Sequence, residues 1–300
     1  MTSGFISVLM CTRNRGEAAA RCLASLSRQD YPTASLEIAV LDDAGTDGSP
    51  ARLRESLAGL SAAGWRGARL FLNAENTQIA AGRSLLEKKV PPEAEFVCFV
   101  DDDAELPANA LSGLAAFLWE NPGAGAAGPR IAVMADPAAA AHKANFVSWA
   151  GRYTEEDSAK PLDCDWLNST CLMVRASALA QAGGFYPGFY TAHEEVDLCL
   201  RLKKHGWRVV YLPGITVLHD IVPGRTKRDR LYYLYRNKFL VFRRNFGTLR
   251  MAAASLGTLL FGLPKYLLES LRAGKLREEL ALILRAVLDG LLGREGKGPL

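Results

Sequence analysis

At 300 residues the chain has room for one large domain or two small ones. Its 49% hydrophobic and 23% charged content is ordinary for a globular chain with a real core, and a net charge of +4 is too mild to name a partner by itself. The six cysteines (Cys11, Cys22, Cys98, Cys164, Cys171 and Cys199) form no C-x-x-C pair, which speaks for free thiols in a reducing compartment and against a disulfide frame or a zinc site.

The N-terminal stretch MTSGFISVLMCTRNR lacks a basic segment followed by a long apolar run and a cleavage site, so it reads as a first strand, Phe5 to Met10, and not as a signal peptide. Asn14 to Ser27 places Ala18, Cys22, Leu23 and Leu26 on one helical face. Leu36 to Leu41 is a second strand ending at Asp42-Asp43, and a helix follows with Ser49 as N-cap and Pro50 in its first turn. Ala68 to Leu72 is a third strand and Thr77 to Lys89 a third helix. Strand-helix-strand repetition of this kind predicts a mostly parallel sheet with helices on both faces.

Phe96-Val97-Cys98-Phe99-Val100 is a buried strand that stops in Asp101-Asp102-Asp103. A strand interior does not accommodate three adjacent acids, so they belong at its C-terminal end, the edge where open α/β sheets bind ligands. On an extended chain Asp101 and Asp103 point the same way and can grip one hard cation. The plain alternative is an acidic turn before the helix that Pro107 opens, with Leu111, Leu114, Ala115 and Leu118 on its apolar face. Cys11 to Asn14, Asp42-Asp43 and Asp101 to Asp103 are three polar strand tips at one expected edge, which points to a polar ligand there.

After residue 125 the rhythm changes to short β-like pieces at Pro129 to Met134, Asn145 to Tyr153 and Thr170 to Val174. The AAAA run at 138–141 reads as a loop or short helix. Then come a helix from His193 to His205 and strands at Arg208 to Leu212 and Ile215 to Leu218, ending at His219. From Arg228 onward the chain reads as helical.

Six segments, in order over about residues 5 to 245, resemble the inverting family 2 glycosyltransferases. VLDDAGTDGS (Val40 to Ser49) is similar to the family's V-D-N-x-S-x-D-G-S signature, and CTRNR (Cys11 to Arg15) to its P-T-x-N-R opening, with Cys11 for the usual Pro. NAENTQIAAGRSLL resembles the N-x-G…A-G-R-N block with Ser84 in place of Asn, and VDDDAEL fits D-x-D. Trp166 to Phe185 is similar to the segment lining the donor sugar and acceptor. His193 to His219 resembles E-D-x-D-L-C-x-R…G…Y-x-P…H, with Glu195 at the usual Asp.

The resemblance implies a glycosyltransferase A-type α/β fold (mostly parallel mixed sheet flanked by helices) with a C-terminal helical extension. It implies transfer from a nucleotide-sugar donor to a hydroxyl acceptor, a glycan or lipid-linked glycan, with Mn²⁺ or Mg²⁺ as cofactor. Asp103 is then the main metal ligand, with Asp101 assisting through the metal or the ribose and His219 as a further ligand; hard oxygen donors suit such ions. Thr12, Asn14, Arg15, Asp42, Arg83, Asp101, Asp102 and Trp166 would contact the donor, Asp42 and Thr12 at the base and Trp166 by stacking on a sugar. Glu195 is the expected base, Glu194 its understudy, and Asp197 orients the base or caps the helix. Acids at a helix N-terminus are also favoured without chemistry. His193-Glu194-Glu195 is not H-E-x-x-H, since position 197 is Asp.

The tail carries Arg225, Lys227, Arg228, Arg230, Arg236, Lys238, Arg243, Arg244 and Arg250 against Asp229, interleaved with Tyr232, Tyr233, Tyr235, Phe239, Phe242 and Phe246. Nucleic-acid surfaces look similar. The apolar stretch Met251 to Leu263 and the helix Lys265 to Leu292 that follow favour docking on an anionic membrane, although the stretch is too short and too rich in Gly and Ser to be assigned as a span. A plain helical appendage or a homodimer contact is the alternative.

The organisation expected is a catalytic domain over 1–224, with a nucleotide half to about 125 and an acceptor half from about 126, then a basic, amphipathic helical region over 225–300. The setting implied is polysaccharide or glycolipid assembly in the cytoplasm, on the inner face of the cell membrane if the tail docks there, with no nucleic acid. Two rivals remain. A sugar-1-phosphate nucleotidyltransferase needs a glycine-rich loop after the first strand, and CTRNR has no glycine before Gly16. A non-catalytic nucleotide-sugar binder would keep Asp42 without the base and metal set.

Overall fold

The computed structural model describes residues 4–221 and 228–299. Its first half alternates β1 (Ile6–Thr12), α1 (Gly16–Leu26), β2 (Leu36–Asp42), α2 (Ser49–Ala62), β3 (Gly67–Leu72), α3 (Gln78–Glu87) and β4 (Phe96–Val100). The two-residue β5 (Ala104–Glu105) follows, then α4 (Ala110–Glu120). The second half runs β6 (Ala124–Val133), β7 (Asp136–His142), β8 (Ala144–Val147), β9 (Tyr153–Glu156), β10 (Leu162–Asp163), β11 (Cys171–Arg175), α5 (Ala176–Ala182), α6 (Glu194–Lys204) and β12 (Arg208–His219). Four helices close the chain: α7 (Arg228–Asn245), α8 (Thr248–Gly257), α9 (Leu263–Arg272) and α10 (Leu276–Leu291).

Among the described residues one ten-stranded sheet has the order β10-β12-β6-β11-β4-β1-β2-β3, with β5 on β12 and β7 on β6. The strands β4, β1, β2 and β3 run parallel, and β11 enters antiparallel between β4 and β6. Period-two alternation sends Ile6, Val8, Met10, Phe96, Cys98 and Val100 to one face, against residues of α1, α2 and α4. Leu9, Leu41, Val97 and Phe99 face the other way, against residues of α3, α5 and α6. Both faces are therefore covered, as near-continuous apolar strands require.

Several expectations are corrected. The alanines at 138–141 lie in β7, an edge strand antiparallel to β6, because a small side chain does not resist pairing once a partner edge is offered. Asn145 to Tyr153 is the turn and parts of two strands, β8 and β9, paired as a hairpin. The two strands expected between 208 and 218 are one, with a register shift between Leu212 and Thr216 where Pro213 and Gly214 interrupt the ladder. The N-cap of α2 is Gly48, at φ 77°, and Ser49 is its first residue. The helix expected from Lys265 to Leu292 is divided at Gly274, φ 71°, into α9 and α10. The apolar stretch Met251 to Leu263 lies within a longer helix: a π turn over Thr258–Gly262 joins α8 to α9 in a helix of 25 residues.

The aromatic residues of α7 are also not where a docking surface needs them. Within α7, Tyr232, Tyr233, Phe239 and Phe242 are buried, as are Arg236 and, just past the helix, Phe246, while Tyr235 is half-buried. Arg225 and Lys227, and the expected domain boundary at 224, lie outside the described residues.

Candidate active site

Parallel pairing sets the tips of β2, β1 and β4 side by side. Thr12 is in register with Asp42, and the Asp43 N–H donates to Thr12 O at 2.9 Å. On the far side of β4, β11 begins with Cys171 opposite Val100, so Ser169 and Thr170 stand beside the acid run. The Asp101 N–H donates to Thr170 O at 3.0 Å. β12 ends where β5 pairs with it, His219 opposite Ala104, which delivers the imidazole to the turn after β4.

The three acids take different partners. Asp101 accepts from Arg83 Nη2 at 2.7 Å on Oδ1 and from Thr170 Oγ1 at 2.9 Å on Oδ2. Asp102 accepts from Thr12 Oγ1 at 2.7 Å, with Arg15 Nη1 at 3.4 Å. Asp103 meets Arg15 Nη2 at 2.7 Å on one oxygen and His219 Nε2 at 3.0 Å on the other. Each of Asp101, Asp103 and His219 offers a ligand atom, and these lie within 4.8 Å of one another.

That donor set fits a small divalent cation. Neighbouring ligands of an ion bound at about 2.1 Å in octahedral geometry stand about 3 Å apart, and two hard oxygens with one imidazole suit Mg²⁺ or Mn²⁺. Thr170 Oγ1 already donates to Asp101, so its 3.3 Å contact with His219 Nδ1 is one it accepts. Nδ1 then carries a proton toward Thr170, and Nε2, whose own proton faces Asp103, is the atom a cation would take in that proton's place.

The electrostatics follow the same geometry. Burial pushes Asp102 up to about 7, against the opposing pull of Arg15 and Thr12, and the neighbouring acids add to the rise. Burial acts on Asp103 in the same direction, but His219 and Arg15 hold its carboxyl below the usual range.

Arg83 joins this cluster to the acids of α6. It is buried, and its Nη1 donates to Ser169 Oγ at 2.7 Å and to Glu194 Oε1 at 3.0 Å while Nη2 holds Asp101. Glu194 is buried, and its Oε2 has no partner among the described residues. Glu195 is half-buried; burial first and the neighbouring Glu194 second push its carboxyl up to about 8. Arg83, expected at the base or the phosphates of the donor, is engaged with the carboxylates of Asp101 and Glu194.

The Asp42-Asp43 pair divides its work. Asp43 fixes the entry to α3, accepting from Thr77 N at 2.9 Å, Gln78 N at 2.7 Å and Asn73 Nδ2 at 2.8 Å. Asp42 accepts only from Gly45 N, at 2.6 Å, and its buried Oδ2 has no partner among the described residues. A Cβ on Gly45 would stand 2.7 Å from Asp42 Oδ1, so the loop needs glycine there. Asn14, at φ 55°, is exposed and ties the two loops together by accepting from Thr46 N at 2.6 Å.

Two expected residues are not brought into the cluster. Trp166 is buried at 8% exposure and packs against Tyr153 at 5.8 Å, so it has no free ring face for a sugar. Asp197 is fully buried and takes Arg201 at 2.8 Å, Arg244 at 3.1 Å and Asn245 at 2.7 Å. It fastens α7 to α6 and neither orients Glu195 nor caps the helix. Asp197→Ala leaves two guanidinium groups without their acid and is expected to lower unfolding stability by about 3 kcal/mol in a denaturant melt. Ser169 and Thr170 join the cluster with one signal in the sequence, two hydroxyls just before a strand that pairs with β4.

A model of the family described as Glycosyl transferase family 2 matches residues 7–183, and one described as Glycosyl transferase family group 2 matches residues 96–284. Among curated proteins, N-acetylglucosaminyl-diphospho-decaprenol L-rhamnosyltransferase of Mycobacterium tuberculosis is 43% identical over 74 residues. That stretch spans 24% of this chain and 24% of the relative. Among solved structures, the mannosyltransferase PcManGT from Pyrobaculum calidifontis, in complex with GDP-Man and Mn²⁺, is 18% identical with a TM-score of 0.62, over 95% of this chain and 86% of that one. S. aureus TarS 1–349 in complex with UDP-GlcNAc is 18% identical with a TM-score of 0.63, over 97% and 81%. At such identities the likeness is one of fold: an α/β sheet of glycosyltransferase A type with helices appended.

Proposed function

The chain belongs to glycosyl transferase family 2, and from that premise we propose that it is a metal-dependent, inverting glycosyltransferase. It moves a sugar from a nucleotide-sugar donor to a hydroxyl acceptor in polysaccharide or glycolipid assembly. The observation that carries the reading is the single guanidinium of Arg83 between Asp101 of the cation-fitting cluster and Glu194 of the α6 acid pair.

Each residue then has a task. Asp42 offers its unpartnered Oδ2 to an N–H of the nucleotide base. Thr12 and Arg15 hold Asp102 and Asp103 in place. Asp101, Asp103 and His219 would hold Mn²⁺ or Mg²⁺. When bound, that cation stabilises the charge gathering on the departing diphosphate as a Lewis acid. Glu195 takes the proton of the acceptor hydroxyl while the hydroxyl oxygen bonds to the anomeric carbon and the bond to the diphosphate breaks. Single displacement at an oxocarbenium-like carbon inverts the configuration.

A panel of nucleotide sugars, assayed with and without Mn²⁺ and with the product anomer read by NMR, tests the reading. Turnover that needs Mn²⁺ and inverts the anomeric centre supports it. Pyrophosphate-dependent exchange would point to a nucleotidyltransferase, and binding without turnover to a non-catalytic sensor.

The partner of the C-terminal helices is an anionic membrane surface. The helix over 248–272 is long and apolar enough to cross a bilayer. Leu249 at 74% exposure, Leu260 at 57% and Phe261 at 74% point outward, and the cations Lys265, Arg272, Lys275 and Arg277 are exposed nearby. Interfacial binding combines these two features. Replacing Leu260 and Phe261 together by Asp is expected to weaken binding to phosphatidylglycerol-containing vesicles at least about tenfold, since each apolar side chain buried contributes roughly 1.5–3 kcal/mol. Unchanged sedimentation with vesicles would remove the membrane from the account and leave a contact between copies of the chain.

A further inference from the structure

The segment that delivers Glu195 to the site is irregular. After a single 3-10 turn at Pro187–Phe189 the chain passes through three non-glycine residues with left-handed backbone, Tyr190 at φ 68°, Ala192 at 66° and His193 at 68°. Residues with a Cβ persist there only where their surroundings hold them. In this run the carbonyls of Phe189, Thr191 and Ala192 turn toward one point.

At that point stands Asn237 of α7, fully buried. Its Nδ2 donates to Phe189 O at 2.9 Å, Thr191 O at 2.6 Å and Ala192 O at 2.7 Å. An amide nitrogen carries two hydrogens, so one is shared between two carbonyls. Arg236, 1% exposed, completes the clasp: its Nε donates to Asn237 Oδ1 at 2.8 Å and its Nη2 to Phe189 O at 2.9 Å. Turning the amide over would set its oxygen against three carbonyl oxygens and its NH₂ against a guanidinium, so a single orientation is stable. The loop's other anchor is α3, where the Ala80 N–H donates to Tyr190 O at 3.2 Å. Arg83 lies on that same helix. None of these contacts reaches the acid cluster directly.

We propose that Asn237 is a positioning residue for the transfer step: its amide holds the left-handed run over 190–193 in the one shape that aims Glu195 at the acceptor hydroxyl, and Arg236 orients that amide. This rests on the reading of Glu195 as the base. It gives a helix outside the sheet a direct part in turnover while leaving the donor-binding strand tips untouched.

The test is Asn237→Ala. Turnover at saturating donor is measured beside the calorimetric affinity for UDP, GDP and dTDP with Mn²⁺, and beside amide hydrogen exchange over 189–195. A misaimed base costs on the order of 10- to 100-fold in kcat, so kcat falls by that amount, nucleoside diphosphate affinity is unchanged, and exchange over the loop speeds up. Arg236→Lys, which removes the Nε–H that orients the amide, gives a smaller fall of the same kind and replaces Asn237→Ala should that variant not fold. A folded variant with unchanged kcat, an equal loss of turnover and nucleotide affinity, or unaltered loop exchange would each overturn the proposal. Glu195→Gln run alongside separates the two ideas. If it keeps transfer, the assignment of the base fails. If it stops transfer while Asn237→Ala does not slow it, only the positioning role fails.

Discussion

Asp103→Ala is expected to abolish metal-dependent turnover, with kcat/KM reduced on the order of 10³-fold or more. Asp103 is the acid that meets both Arg15 and His219, so its loss takes a hard oxygen ligand from the cation and a partner from each of two cationic or imidazole groups. Charge stabilisation by a bound divalent ion amounts to several kcal/mol, and each 1.36 kcal/mol is tenfold in rate. Arg15 keeps a carboxylate in Asp102, so the strand tips remain assembled and the variant folds. The check is a series of initial rates against Mn²⁺ concentration with direct titration of the metal. A retained Mn²⁺ response would remove Asp103 from the metal site.

Glu195→Gln is expected to leave nucleoside diphosphate binding intact and to slow transfer about 10²–10⁴-fold, the usual contribution of a general base. The environment of Glu195 also sets a pH dependence. With its carboxyl pushed up to about 8, the base is mostly protonated at neutral pH and wild-type kcat rises as pH climbs toward 8. Stability moves the other way. The folded chain holds this proton where the unfolded chain does not, so the residue's favourable contribution is fully present below about 4.5 and is lost as pH rises through about 8. Gln cannot ionise, so the Tm of Glu195→Gln gains on wild type across that window. A Tm difference that is flat with pH would contradict the raised, protonated carboxyl. If transfer survives the substitution, Glu194 becomes the base.

Much of this site could be read from the chain itself, because it is built at strand ends. An apolar run that stops in Asp101-Asp102-Asp103 states both a strand and the edge it points to, and Asp42-Asp43 repeats the message one strand over. Parallel pairing does the rest, since Thr12, Asp42 and Asp101 reach one edge whatever their separation in sequence. What was not legible depends on a partner far along the chain. The charge of Asp197 does not say that Arg244 and Asn245 will cover it. The ring of Trp166 does not say that Tyr153 will lie against it. The aromatic residues of α7 have the composition of a docking face, and only packing against α6, α8 and α10 shows that they are core. Asn237 is the extreme case: one neutral amide among many cations, whose three acceptors exist only because a distant loop turns left-handed.

Calorimetric titration of Mn²⁺ into the full chain, alone and with UDP, GDP or dTDP present, is the most direct test of a cation held between the strand-tip acids and a departing diphosphate. One nucleoside diphosphate should tighten Mn²⁺ binding tenfold or more, and Asp103→Ala should erase the gain. Binding of all three that is the same in EDTA as in Mn²⁺ would contradict the account.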